Sequence, residues 1–310
     1  IPILVKDNIE VKGPVPTTAG STALLANVTD RDAPLVARLR AAGAIILGKT
    51  AMHELAAGTT TISSLTGQSR NPYDLLRSPG GSSGGTGASI AASFAAAGMG
   101  SDTCGSIRIP AAYQNLWGLR TTRGLASRTG VIPLSDTQDV AGPLARSVAD
   151  LAIMLDATVG EDATDAVTKG AGAHVPKSYA DALQPGSLKG ARIGVLRSAV
   201  GSRGDVKALF EAALADLTRA GAVLVDIEYA PPGELWGASL PVLLYELRVE
   251  MDKYLSGRPV AEGPRSLADV VAFNRANAAA EMRWFGQELF EQALETTDAE
   301  AYATNLATLR

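Results

Sequence analysis

The chain has 310 residues, 46% of them hydrophobic and 19% charged, with 28 basic against 32 acidic side chains for a formal net charge of −4. That composition supports a buried core and excludes a disordered chain, and the absence of any basic block argues against nucleic acid as a primary partner. One cysteine, Cys104, excludes an internal disulfide framework and four-cysteine zinc sites, while two histidines, His53 and His174, leave little for histidine-driven chemistry.

The chain opens on Ile1-Pro2-Ile3-Leu4-Val5, an apolar run that predicts a buried strand. No leader precedes it, and a start inside the core predicts a sequence trimmed at that end. Asp32 is the expected N-cap of a helix with Pro34 in its first turn, Leu35, Val36 and Leu39 on one face, and Gly43 as its stop. Ala44-Ile45-Ile46-Leu47 then predicts a second buried strand, and this β-α-β order predicts an α/β domain with some parallel pairing.

Gly/Ser-rich loops are expected at residues 78–87 and 98–106, with a small-residue helix between them. The mild apolar stretch from Ile90 to Met99, broken by Ser93, is too short to span a bilayer. Ser147 and Asp150 form an S-x-x-D capping box for a helix that turns Leu151, Met154 and Leu155 inward. Residues 160–190 lack periodicity and predict a long surface connection. A strand (192–196), a helix (205–220) and a strand (223–227) follow, and from about Leu235 the pattern is mostly helical, without evident chemistry.

Between Ser78 and Ile107 the only charged residue is Asp102. Glycines at this density let backbone amides approach a ligand. The Walker, GxGxxG, HExxH and EF-hand frames are all missing, however, and a linker would not alternate with Ile90, Phe94 and Met99. Gly80-Gly81-Ser82-Ser83-Gly84 satisfies the G-x-S-x-G elbow, which sets a serine between a strand and a helix. Pro79 interrupts any such strand, and only His174 lies downstream as a base, so the motif fits its context poorly.

The second loop, Gly100-Ser101-Asp102-Thr103-Cys104-Gly105-Ser106, leads into a helical segment. Ser106 is either a nucleophile beside amides that could stabilise an oxyanion, or an ordinary N-cap. Lys6 also has two readings. In a buried strand its desolvated amine is a general base; just past the strand, it pairs with Asp7 in solvent. Cys104 has no histidine partner and reads as packing, and His53 as a hydrogen-bonded structural residue. Asp102 and Arg108 read as a structural brace around Ser106.

Together, three segments resemble the amidase signature family of serine hydrolases: Val5-Lys6-Asp7-Asn8, Gly80-Gly81-Ser82-Ser83-Gly84-Gly85, and Gly100 through Ala111. Further similarity runs through Gly48-Lys49-Thr50-Ala51-Met52-His53-Glu54-Leu55, Val131-Ile132-Pro133, Gln138-Asp139 and Gly142-Pro143. The similarity is dense over residues 1–160 and looser over 161–310. It implies an α/β fold, a mixed β-sheet surrounded by α-helices, in one amidase domain over 1–310 that looks trimmed at both ends. It also implies a Ser-Ser-Lys triad in which Ser106 is the nucleophile, Ser82 (at a cis peptide bond in the family) relays the proton, and Lys6 is the base. The oxyanion hole would be the backbone N–H groups of Thr103, Cys104, Gly105 and Ser106. Met52 and Thr59 match a family segment near the acyl pocket and are expected substrate contacts, with core packing the competing reading for Met52. Ser83 is expected to touch substrate or to support the loop. Cys104 stands where the family more often has glycine.

The function so implied is an amidohydrolase acting on linear carboxamides (aryl acylamides, peptide amides or carbamate-like bonds), with no metal and no organic cofactor. Its expected partner is a small-molecule amide, with neither nucleic acid nor membrane; monomer and homodimer are both open, and a single cysteine suits the cytoplasm. The nearest alternative is the amidase subunit of a tRNA-dependent amidotransferase, although residues 130–139 look more like the stand-alone amidases. An esterase using Ser82 and a non-catalytic binding module are the remaining alternatives. The joint presence of Lys6, Ser82 and Ser106 weighs against the module.

Overall fold

Alternation along the first strand decides the layering. In β1 (Pro2–Lys6), Ile3 and Val5 face one side of the sheet, and Leu4 and Lys6 the other. The computed structural model describes residues 1–259 and 262–310, in two compact units, one of residues 1–180 with 238–310 and one of residues 181–237.

In the first unit, β1, α1 (Pro34–Ala41) and β2 (Ile45–Thr50) form the predicted β-α-β unit, with the strands parallel. The N-cap of α1 is Ala33, not Asp32. The Asp32 carboxylate instead accepts from the Lys12 amide at 2.8 Å and from Arg40 Nε at 2.9 Å. Gly43 closes the turn at φ +87°, a conformation that side chains resist. β2 is not the buried strand its apolar run suggested. It lies at the sheet edge, with β1 as its only strand neighbour among the described residues, and Ile45 and Leu47 are 62% and 54% exposed.

A short antiparallel ribbon, β3 (Ile62–Ser63) and β4 (Gly67–Gln68), precedes α2 (Gly84–Ala91). Then comes the main departure from expectation. Most of the second predicted loop is β5 (Ala97–Asp102), a fully buried strand in the middle of the sheet. Its glycines serve close approach rather than turning. A Cβ on Gly98 would meet Thr86 Cγ2 at 2.5 Å, and one on Gly100 would meet Ser83 Oγ at 2.8 Å. The chain continues through α3 (Arg108–Tyr113), β6 (Trp117–Gly118), β7 (Val140–Ala145) and α4 (Val148–Thr158), the last capped by Ser147 as predicted.

The five strands lie in the order β2-β1-β5-β7-β6; β5 is parallel to β1 and antiparallel to β7, which makes the sheet mixed. Under one face α1 and α4 enclose Ile3, Val5, Leu35, Val36, Met99 and Met154. On the other, α2 packs against β1 and β5, over the side that carries Lys6.

The second unit contains β8 (Arg192–Val195), α5 (Gly204–Arg219) and β9 (Val223–Asp226), close to their predicted bounds, with the two strands parallel. From Gly233 the chain is helical, in α6 (Gly233–Ser256), α7 (Leu267–Ala276), α8 (Ala278–Glu281), α9 (Glu288–Glu295) and α10 (Ala299–Thr308). Leu247, Met251 and Leu255 of α6 join Val270, Phe290, Leu24, Met52 and Ile132 in a second core. No described helix is long and apolar enough to cross a membrane. The architecture is α/β, a mixed sheet flanked by helices.

Candidate active site

Lys6 ends β1 on the α2 side of the sheet and is fully buried. Its Nζ lies 2.7 Å from Ser82 Oγ, 2.8 Å from Ser101 Oγ and 3.3 Å from the Ser101 carbonyl. The solvent pairing with Asp7 does not form; Asp7 is joined to Lys49 at 3.2 Å. Burial lowers the Lys6 pKa to about 7, against the opposing pull of Asp139 and then Asp102. A lysine in that range supplies neutral amine near neutral pH.

Ser82 sits in the loop before α2, and the strand before that loop, β4, ends at Gln68, so the strand-turn-helix context of an esterase elbow is missing. The Gly81–Ser82 peptide is cis. The loop is pinned from several sides. Thr61 Oγ1 donates to the Gly80 carbonyl at 2.7 Å and accepts from the Gly84 amide at 3.0 Å, and the His53 amide donates to the Ser82 carbonyl at 3.0 Å. Gly81 must be glycine, because a Cβ there would lie 2.8–2.9 Å from the backbone of Thr59, Thr60 and Thr61. The neighbouring Ser83 ties this loop to the second one: its amide donates to the Ser106 carbonyl at 3.1 Å and its hydroxyl to the Ser101 carbonyl at 3.1 Å.

Ser106 is buried, and no hydrogen bond among the described residues engages its hydroxyl. It does not cap α3, whose N-cap is Ile107, so the ordinary N-cap reading falls. The loop before it is shaped by Asp102, which is fully buried and accepts from the Gly105 amide at 2.8 Å and the Ile107 amide at 3.0 Å. Arg108 and Arg120 pair with the same carboxylate at 3.1 and 3.0 Å, the brace expected for Arg108. Burial pushes the Asp102 carboxyl up, but Arg108 and these amides outweigh it and hold the pKa at about 2. The Gly105 N–H is therefore already engaged. Those of Thr103, Cys104 and Ser106 take part in no hydrogen bond among the described residues.

The remaining expected residues scatter. Met52 is fully buried in the second core, which supports packing over substrate contact, whereas Thr59 is exposed beside the Gly81 backbone. Ser83 is fully buried with its hydroxyl engaged, so it supports the loop rather than reaching outward. Cys104 does not pack; its side chain is exposed, and desolvation and the Asp102 charge raise its pKa. Burial and then Lys6 lower the His53 pKa to about 4, and its Nδ1 lies a long 3.4 Å from Thr60. His174 is exposed.

Three contributors were assigned no role in the sequence reading, although Ser101 and Asp139 lie in its family-matching segments. Ser101 holds Lys6 and accepts from Asn8 Nδ2 at 3.0 Å. Asp139 accepts from Thr103 Oγ1 at 2.6 Å. From α6, Glu246 accepts from Ser135 Oγ at 2.5 Å and from the Thr137 amide at 3.1 Å. The signal for Ser101 was period 2 in β5, masked by the glycines; Glu246 had none.

A family model described as Amidase matches residues 1–310. The chain is 38% identical over 312 residues to a probable amidase of Arabidopsis thaliana, covering 96% of this chain and 59% of that protein. It is 44% identical over 201 residues to a glutamyl-tRNA(Gln) amidotransferase subunit of Deinococcus deserti, covering 65% of this chain and 40% of that one. The native peptide amidase from Stenotrophomonas maltophilia superposes with a TM-score of 0.91 at 42% identity, covering 99% of this chain and 64% of that structure. The chain thus spans between two fifths and two thirds of the length of these relatives.

Proposed function

The chain belongs to the amidase family, and from that premise we propose that it is an amidohydrolase that cleaves linear carboxamides through an acyl-enzyme on Ser106. The observation that carries this reading is the fully buried Lys6 amine, 2.7 Å from Ser82 Oγ, in a loop whose next residue is hydrogen-bonded to the Ser106 backbone. Neutral Lys6 takes the Ser82 proton while Ser82 takes that of Ser106, and Ser106 Oγ adds to the amide carbonyl. The amides of Thr103, Cys104 and Ser106 receive the oxyanion; that of Gly105 holds the loop through Asp102. Collapse returns the proton along the same relay to the departing amine. Water then repeats the sequence on the acyl ester, releasing a carboxylic acid and restoring Ser106. Residues 1–310 act in this reading as one amidase domain, on a small-molecule amide and in the cytoplasm.

Peptide amides are the first class to assay, since the peptide amidase fold covers 99% of the chain; aryl acylamides and carbamates follow. The test is fluorophosphonate labelling of the intact protein with peptide mapping. An adduct on Ser106 that disappears in Lys6→Ala supports the triad. An adduct on Ser82, or none in folded protein, sinks it. The similarity to a glutamyl-tRNA(Gln) amidotransferase subunit favours one second reading, an amidase acting inside a complex. Copurifying partner subunits and glutamine-dependent activity would select it.

A further inference from the structure

We propose that Asp139 is a positioning residue for this site, which fixes the first residue of the oxyanion loop through Thr103 and places behind it a buried carboxylate that no cation pairs with among the described residues. The inference rests on the amidohydrolase reading and adds a residue outside its triad and oxyanion amides. Asp139 lies just before β7, buried, and neutral groups hold both its oxygens. Oδ1 accepts from Thr103 Oγ1 at 2.6 Å; Oδ2 accepts from the amides of Leu134 and Ser135 at 2.8 and 2.9 Å. Its own amide donates to the Ser135 carbonyl at 2.9 Å, and Ser135 is in turn held by Glu246. The turn that presents Asp139 is thus anchored on α6, and Thr103 is anchored on Asp139.

The charge argument compares two carboxylates. Asp102 and Asp139 both act on Lys6, but Asp102 is paired with Arg108 and Arg120, whereas no cation pairs with Asp139 within ion-pair distance among the described residues. Neutral donors stabilise a carboxylate without cancelling its field at longer range. Among the described residues the charged or titratable groups acting on Lys6 are Asp139, Asp102 and His53, and burial keeps His53 neutral near pH 7. Arg128 reaches Asp139 only at a distance, and its guanidinium is bonded to Asp136 and Asp165. Burial raises the Asp139 carboxyl pKa, and the bonds from Thr103, Leu134 and Ser135 oppose that rise; in its ionised form Asp139 carries the larger uncancelled charge of the two carboxylates acting on Lys6.

The test follows the rate of fluorophosphonate labelling of Ser106 against pH in the intact protein, for the wild type, Asp139→Asn and Thr103→Val. Loss of the anion destabilises the lysine ammonium, so neutral amine persists to lower pH. In Asp139→Asn the acid limb should therefore move down by about half a pH unit or more, and the plateau should fall roughly tenfold as Thr103 loosens. Thr103→Val should lower the plateau similarly and leave the midpoint in place, because the charge remains. An Asp139→Asn midpoint that stays or rises overturns the proposal. So does a wild-type plateau in Thr103→Val, an outcome that decides the matter even where Asp139→Asn fails to fold. Labelling that depends on Lys6 with an unmoved Asp139→Asn midpoint removes this inference alone; labelling independent of Lys6 removes the amidohydrolase reading and this inference with it.

Discussion

Replacing Lys6 by methionine would keep the length of the side chain and discard its amine, which makes the cost of burying that amine measurable. Folding lowers the lysine pKa from 10.5 to about 7, chiefly by desolvation. Between those values the unfolded chain binds more protons than the folded one, so this group's contribution to stability rises with pH across the window. A tenfold change in an acid constant corresponds to about 1.4 kcal/mol, which makes the full window worth roughly 5 kcal/mol. Between pH 7 and pH 9 the gain is roughly 2 kcal/mol, reduced because the folded lysine is half protonated at the lower end. In Lys6→Met the gain disappears. At pH 7 the variant escapes the desolvation cost but strands the hydroxyl of Ser82, at about 1–3 kcal/mol, while Ser101 keeps its bond from Asn8, so its absolute stability discriminates poorly and its slope discriminates well. Urea unfolding of both proteins at pH 7 and pH 9 reads the double difference, in which other titrating groups cancel. Parallel pH dependences would refute the idea of a buried amine titrating near neutrality. Fluorophosphonate labelling should vanish in the variant at both pH values.

Three further predictions follow from the same geometry. Ser101→Ala removes the hydroxyl shared by Lys6 and Asn8, and labelling at pH 9, where the amine is neutral in either case, should slow about tenfold or more; an unchanged rate would refute a positioning role for Ser101. Asp102→Asn removes a carboxylate held at about 2, a contribution present above its ordinary pKa near 3.8 and lost as pH falls toward 2. Urea unfolding at pH 7 should show a loss of roughly 2 kcal/mol, and a loss under ~0.5 kcal/mol would contradict the brace. Gly100→Ala places a Cβ 2.8 Å from Ser83 Oγ and 3.0 Å from Leu144 Cδ1, so overpacking should cost about 1–3 kcal/mol in thermal or urea unfolding; wild-type stability would show that α2 can retreat from β5.

What was legible in the sequence divides along physical lines. Local signals held: the β-α-β order of the first fifty residues, the Ser147 capping box, and the strand-helix-strand pattern after residue 190. Lys6 was legible as an anomaly, a long cation in an apolar run, although the residues alone left its burial and its solvent pairing with Asp7 both open. β5 misled because glycine has two uses, turning a chain and letting another element close in, and composition alone cannot separate them. β2 misled in the opposite sense, since an unbroken apolar run does not reveal that one sheet edge lacks a neighbour. Asp139 and Glu246 were invisible as site residues because their roles depend on tertiary contacts with Thr103 and with Ser135 and Thr137.

The bond from Ser135 to Glu246 spans 111 positions of sequence, and that from Thr22 to Glu281 spans 259. For a chain made from its N-terminus at roughly 5–20 residues per second, Glu246 emerges on the order of ten seconds after Ser135. Through that interval Leu24, Met52 and Ile132 lack the α6, α7 and α9 side chains that complete their core. All three members of the proposed triad are synthesised early, yet the support of their oxyanion loop comes from a helix made much later. The residues of the proposed triad are thus made before the helix that anchors the turn holding Thr103, and through that delay the apolar surface of this core stays uncovered.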